Sequence, residues 1–272
     1  MIGQPDARAA VPAPEDFSSL LKARGLYPQT PAIASLSAIA DPPSALLATH
    51  ATTILAFKYA DGVLVAGDRR ATAGNILVYD RADKVLEIDS HSLMAIAGVP
   101  ATAWEMARVL EHSFQFYRRS QLAEMSLEGK VRALSKLLRD NLGAVLQGVG
   151  VVVPIFATYD AEGAAARLYF YDAMGAQFEA ADSAATGSGS PAVRSILHYE
   201  NTWGKKPLAK LREEDAVLLA LRALDTAAEG DTATGGVDRR GRVYPIVKLI
   251  GPGGITTLPE KELGKLFKKH VA

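Results

Sequence analysis

A threonine pair opens the first alternating stretch of the chain, Thr52-Thr53-Ile54-Leu55-Ala56-Phe57-Lys58-Tyr59, and a second stretch from Gly62 to Gly67 runs straight into Asp68-Arg69-Arg70. A threonine hydroxyl is a weak nucleophile at neutral pH and needs a base beside it. A chain that began at Thr52 would carry its own base, because an α-amino group titrates near about 7.7–8.0 and suits proton transfer around neutral pH. No histidine is required. Further polar residues fall at the ends of strand-like stretches: Asp68, Lys84, Ser188, Asp231 and Thr234. Taken singly each has an ordinary reading. An aspartate after glycine is a turn residue, and a lysine at a strand start is a solvated edge.

Several other chemistries are excluded by composition and spacing. The 272 residues contain no cysteine, which rules out a disulfide framework, a thiolate zinc site and a cysteine nucleophile. The five histidines lack metal-ligand spacing, so no metal and no cofactor are expected. Gly62 and Gly67 are spaced like the glycines of a phosphate loop, but Asp68 and Arg69 stand where Lys and Ser or Thr are needed, and aspartate repels phosphate. Gly187-Ser188-Gly189-Ser190 either cradles an anion at a helix N-terminus or is a turn that ends in a cap. Thirty basic residues balance thirty acidic ones, so the net charge gives no reason to expect nucleic acid or an anionic membrane as partner. No run approaches the roughly 18 apolar residues of a membrane helix, and a cytoplasmic location is expected.

The elements that must position these residues follow from periodicity. Residues 1–51 hold seven of the fourteen prolines, too many for a regular ladder, and one amphipathic piece from Phe17 to Arg24. Strands are predicted over 53–59, 62–67, 84–88 and 92–97. Two long amphipathic helices follow, one through Trp104, Leu110 and Tyr117, the other through Leu127, Leu134 and Val145. Strands return at 151–159, 166–171 and 177–181. A helix capped by Ser190 with Pro191 as its first residue comes next, and another is opened by Glu213-Glu214-Asp215. A strand pair (242–250 and 255–258) and a helix over 260–269 close the chain. Without strict βαβ alternation, the order predicts an α+β sandwich of antiparallel sheets flanked by helices.

Together the motifs resemble those of a proteasome β subunit, most closely the bacterial, actinobacterial type. They are Thr52 to Tyr59, Gly67-Asp68-Arg69-Arg70-Ala71-Thr72, Lys84-Val85-Leu86-Glu87-Ile88, Ala97-Gly98, Gly187-Ser188-Gly189-Ser190 and Asp231-Thr232-Ala233-Thr234-Gly235-Gly236. The resemblance implies a four-layer αββα fold with residues 1–51 as a propeptide and 52–272 as the catalytic domain. It implies a threonine endopeptidase that exposes Thr52 by self-cleavage after Ala51. Lys84 would lie beside the Thr52 hydroxyl, Asp68 would pair with Lys84, and Ser188, Asp231 and Thr234 would hold the terminal amine. The Gly98 amide would serve the oxyanion, where a residue without a side chain lets a substrate carbonyl approach.

By the same resemblance Thr72 would bond an extended peptide through its backbone, and Ala71, Ala82, Leu86, Ile96, Pro100 and Ala103 would line an apolar pocket for the residue before the cleaved bond. The implied partners are a homo-heptameric β ring stacked on a second β ring, α-type subunits outside, an ATP-dependent unfoldase ring and unfolded protein substrates. One departure leaves an alternative open. The family has Gly where Ala51 stands, and the backbone bend of self-cleavage suits glycine best. A subunit that assembles uncleaved, in a structural role, is therefore the rival expectation.

Overall fold

A computed structural model describes residues 17–27, 52–73, 76–160, 163–238 and 243–271. Helix α1 (Phe17–Ala23) comes first. Strands β1 (Thr53–Tyr59) and β2 (Gly62–Gly67) then form a hairpin, pairing from Ile54 with Gly67 to Tyr59 with Gly62. Both are buried almost throughout, and their period of two explains how. Leu55, Phe57, Tyr59, Leu64 and Ala66 point into one apolar cluster, while Ile54, Ala56, Val63 and Val65 point into another. A strand with two buried faces belongs to an inner layer.

After a short ribbon, β3 (Ala71–Ala73) with β4 (Ile76–Tyr79), come β5 (Val85–Asp89) and β6 (Ser92–Ala95). Helices α2 (Pro100–Gln121), α3 (Leu127–Asp140) and α4 (Leu142–Leu146) lead to β7 (Ile155–Asp160), β8 (Ala165–Tyr171), β9 (Gln177–Glu179) and β10 (Ser183–Gly187). Helix α5 (Ser190–Trp203), a 3-10 turn at Leu208–Lys210 and α6 (Glu213–Gly230) precede β11 (Ile246–Gly251), β12 (Gly254–Thr257) and α7 (Glu260–Val271). One antiparallel sheet runs β10-β1-β2-β11-β12 and the other β5-β6-β7-β8-β9.

Among the described residues, three cores hold the layers together. Val193, Leu197, Leu221, Leu224, Leu263 and Phe267 of α5, α6 and α7 cover the outer face of the first sheet. Leu110, Phe114, Leu134 and Leu138 of α2 and α3 cover the outer face of the second. Between the sheets lie Val65, Val85, Leu93, Ile155 and Leu168. The antiparallel sheets flanked by helices are those expected from the element order, and their layering is the αββα sandwich that the resemblance implies.

Some local expectations need correction. The ribbon β3–β4 and strand β10 escaped prediction, and residues 151–154 form only an isolated bridge, Gly98 with Val152. The second long helix breaks at Asn141, whose side-chain amide donates to the Gly150 carbonyl at 2.7 Å. Ser190 is not the cap of α5: Gly189 holds that position, and Ser190 is the first helical residue, its hydroxyl accepting from Arg194 at 3.2 Å. The amphipathic piece at Phe17 to Arg24 forms a helix, α1, seated on α2 and α3. The Phe17 ring lies 5.7 Å from Phe116, and Lys22 pairs with Asp140 at 2.7 Å. Among the described residues no helix is long and apolar enough to cross a membrane.

Candidate active site

The site is built around Asp68, which leaves the end of β2 fully buried. Its Oδ1 accepts the Thr53 N–H and the Lys84 ammonium, both at 2.8 Å, and its Oδ2 accepts the N–H groups of Arg70 at 2.9 Å and Gly235 at 3.0 Å. Four donors use the full accepting capacity of a carboxylate, which lowers the cost of burying its charge. Lys84, just ahead of β5, is buried too and also donates to the Arg70 carbonyl at 2.5 Å. An ammonium has three N–H groups, so one is left without a partner among the described residues. Burial pushes the Lys84 amine below the ordinary lysine range, and the Asp68 carboxylate opposes that shift.

Thr52 sits at the head of β1, buried, its carbonyl accepting the Ser188 N–H at 3.1 Å. Gly187, opposite Thr53 in the β1–β10 register, adopts φ +98°, and a Cβ there would fall 1.7 Å from the Thr52 carbonyl oxygen. Any side chain would expel the threonine from this position. Thr52 is joined to Ala51 in the full chain, so its nitrogen is an amide with no basicity to offer. Ala51 and the junction itself lie outside the described residues.

Thr53 links two clusters. Its amide reaches Asp68, while its hydroxyl accepts the Gly189 N–H at 2.9 Å and meets the Thr234 hydroxyl at 2.5 Å. Thr234 in turn reaches Asp231 Oδ2 at 2.5 Å. An ionised carboxylate only accepts, so Thr234 must donate to Asp231 and Thr53 must donate to Thr234. Every proton in that row points the same way. Asp231 also accepts from the Ser188 hydroxyl at 2.6 Å and the Ala233 N–H at 3.1 Å. Partial burial pushes its carboxyl up, but the Ser188, Thr234 and Ala233 donors outweigh this and hold it below the usual carboxylate range.

The structure therefore brings Thr52, Asp68, Lys84, Ser188, Asp231 and Thr234 together. Sequence reasoning missed Thr53, Gly187 and Gly235, which do much of the holding. The threonine doublet was the available signal. Successive strand residues point opposite ways, so one of two adjacent threonines can face one cluster and its neighbour another.

Gly98 stands at the bridge to Val152, flanked by Val99 N–H to the Val151 carbonyl and Val153 N–H to the Ala97 carbonyl, each at 2.8 Å. Those bonds leave its own N–H outside the ladder, without a partner among the described residues. Its φ is +116°, and a Cβ would lie 2.0 Å from the Val151 carbonyl oxygen. The backbone itself demands glycine here, a reason beyond substrate access.

Of the expected pocket residues, Ala82, Ile96 and Ala103 are buried, and Ala71, Leu86 and Pro100 are half-buried. Ile96 and Ala103 also belong to the core beneath α2. Thr72 is buried in the ribbon opposite Leu77, and its hydroxyl has no hydrogen-bond partner among the described residues.

Two antiparallel sheets pressed together between helical layers, with a threonine heading an inner strand beside a buried lysine–aspartate pair, define the N-terminal-nucleophile hydrolase class. Comparison with known proteins narrows this. The model of the proteasome subunit family matches residues 48–240. Over 222 residues, 82% of this chain and 77% of the relative, the sequence is 41% identical to proteasome subunit beta 2 of Thermomonospora curvata. Over 224 residues, again 82% and 77%, it is 38% identical to the proteasome subunit beta of Streptomyces griseus. The chain belongs to the proteasome subunit family, as a β-type subunit of the bacterial branch. Its function is that of a threonine-type endopeptidase within a multi-subunit proteolytic complex.

Proposed function

We propose that Thr52 is the nucleophile of this endopeptidase and that residues 1–51 are a propeptide whose removal bares its amine. One observation carries the assignment: the Lys84 ammonium and the peptide nitrogen of Thr53 are bound to the same buried carboxylate oxygen. The lysine is thereby held against the head of β1 with an N–H to spare, where its charge favours a deprotonated threonine hydroxyl. In the mature subunit the α-amine takes the hydroxyl proton, and Oγ1 attacks the scissile carbonyl carbon. The Gly98 N–H receives the developing oxyanion. The amine then returns the proton to the departing nitrogen, leaving an ester that water hydrolyses. Ser188, Asp231 and Thr234 keep the head of β1 and its amine in place.

Thr72 would align an extended peptide through its backbone. Ala71, Ala82, Leu86, Ile96, Pro100 and Ala103, all apolar, favour an apolar side chain before the cleaved bond. The assembly proposed is a homo-heptameric β ring on a second such ring, α-type subunits outside and an ATP-dependent unfoldase ring supplying unfolded proteins, in the cytoplasm. The exposed apolar side chains of Ile76, Leu77, Val78 and Tyr79 support burial against further subunits.

Intact mass of the assembled protein tests the reading. Loss of residues 1–51 is expected, with Thr52→Ala keeping them and hydrolysing nothing. Ala51 in place of glycine favours a second reading, a structural subunit that stays uncleaved. Peptide hydrolysis by particles that retain the leader would overturn the first reading, and retention without hydrolysis would establish the second.

A further inference from the structure

Two loops frame the site, 68–70 between β2 and β3 and 81–84 before β5. On their inner side they are joined by the Asp68–Lys84 pair, and in the middle by the Ala82 N–H to the Arg69 carbonyl at 3.0 Å. On their outer side they meet a group the mechanism does not use. Glu260, the first residue of α7, binds Arg69 through one carboxylate oxygen and faces Arg81 at 3.6 Å through the other. Arg69 also donates to the Arg81 carbonyl at 3.3 Å, so both arginines and both loops close on one carboxylate. Helix α7 is a firm support for it, since Leu263 and Phe267 are buried in the core and the Phe267 ring lies 6.2 Å from Tyr244.

We infer that Glu260 is a positioning residue for peptide binding, holding the two substrate-bearing loops at a fixed separation. This rests on the functional reading above. Ala71 and Thr72 follow Arg69 by two and three residues, and Ala82 follows Arg81 directly, so the clamp grips the segments that would carry the peptide strand and one pocket wall. Removing its charge leaves two guanidinium groups facing each other across the joint, and like charges at that range repel. Asp68 is unaffected, because its four donors lie within the inner network. Loss of the clamp therefore separates two quantities that loss of Lys84 would lower together. Peptide binding weakens, and the reactivity of Thr52 stays.

The test compares Glu260→Gln with the parent in the assembled particle. It uses KM and kcat for an extended fluorogenic tetrapeptide and the rate at which Thr52 is acylated by a small β-lactone that makes no strand contacts. KM for the tetrapeptide is expected to rise about fivefold, the worth of a partly exposed charge pair, with kcat and lactone labelling unchanged. Glu260→Asp should recover part of the loss, and raising the salt should raise KM in the parent more than in Glu260→Gln. An unchanged KM overturns the inference, and so does lactone labelling slowed as much as peptide turnover. If Glu260→Gln fails to assemble, Arg81→Gln removes one arm alone and should give a smaller rise in KM. Failure of both to assemble overturns positioning in favour of a purely structural clamp. Lactone labelling of the parent at a residue other than Thr52 would refute the functional reading and carry this inference with it.

Discussion

The floor of the site and its rim are built on opposite terms. Around Asp68 the carboxylate is filled from within the chain: four donors on its two oxygens, a lysine locked against it with one N–H to spare, and a nearby row of hydroxyls ending at Asp231. Around the ribbon β3–β4 the chain leaves matters open. Ile76 is 70% exposed and Val78 66%, and the Thr72 hydroxyl is buried with no partner among the described residues. A lone folded chain does not keep such a strand bare without reason. The contrast indicates that the chain satisfies the Asp68 carboxylate by itself; on the proposed function, the ribbon is the edge left to be finished by a bound peptide and neighbouring subunits.

This division can be broken most forcefully at the floor. Asp68→Ala strips the partner from a buried ammonium and three backbone N–H groups, and is expected to cost about 3–5 kcal/mol of stability and all turnover. Chemical denaturation would measure it, and a loss under 1 kcal/mol would mean that the floor is not the rigid centre described. Asp231→Asn is a smaller step, about 1–3 kcal/mol near neutral pH, because the charged acceptor of Ser188 and Thr234 is lost while the shape remains. Its sign with pH is fixed. The folded-state value of Asp231 lies below the unfolded one, so its contribution is full above the ordinary carboxylate value and disappears as pH falls through the folded value. Stability of Asp231→Asn should therefore converge on that of the parent in acid, and a gap that stays constant would contradict the shift. At the rim the same scale nearly vanishes. Val78→Lys should change the stability of the unassembled chain by less than about 0.5 kcal/mol while weakening assembly, read by sedimentation. A large destabilisation would show that the ribbon belongs to the fold after all.

The fold was legible where pattern and burial agree. β1 and β2 alternate between two apolar cores, and the stripes of α2 and α3 face one sheet, so local sequence carries the assignment. β10 was not legible, because Ser183-Ala184-Ala185-Thr186-Gly187 has small residues and no alternation; it is a strand because β1 offers it a partner. The ribbon β3–β4 was missed for another reason: its strands have only three and four residues, with a register shift between Ala71 and Thr72. The break at Asn141 depends on the distant carbonyl of Gly150. Within the site, Asp68, Lys84 and Asp231 stood out as polar residues at strand and helix ends. Thr53 and Gly187 did not, since one reads as an ordinary strand residue and the other as a loop glycine. Their importance arises only when β10 is laid against β1.

The hydroxyl row from Gly189 to Asp231 has a further effect. With an acceptor-only group at one end and an N–H at the other, it admits a single arrangement of its hydrogens, so its dipoles are frozen before any substrate arrives. On the proposed mechanism, charge appearing at the head of β1 would meet an environment already polarised, with no rotor having to turn in response.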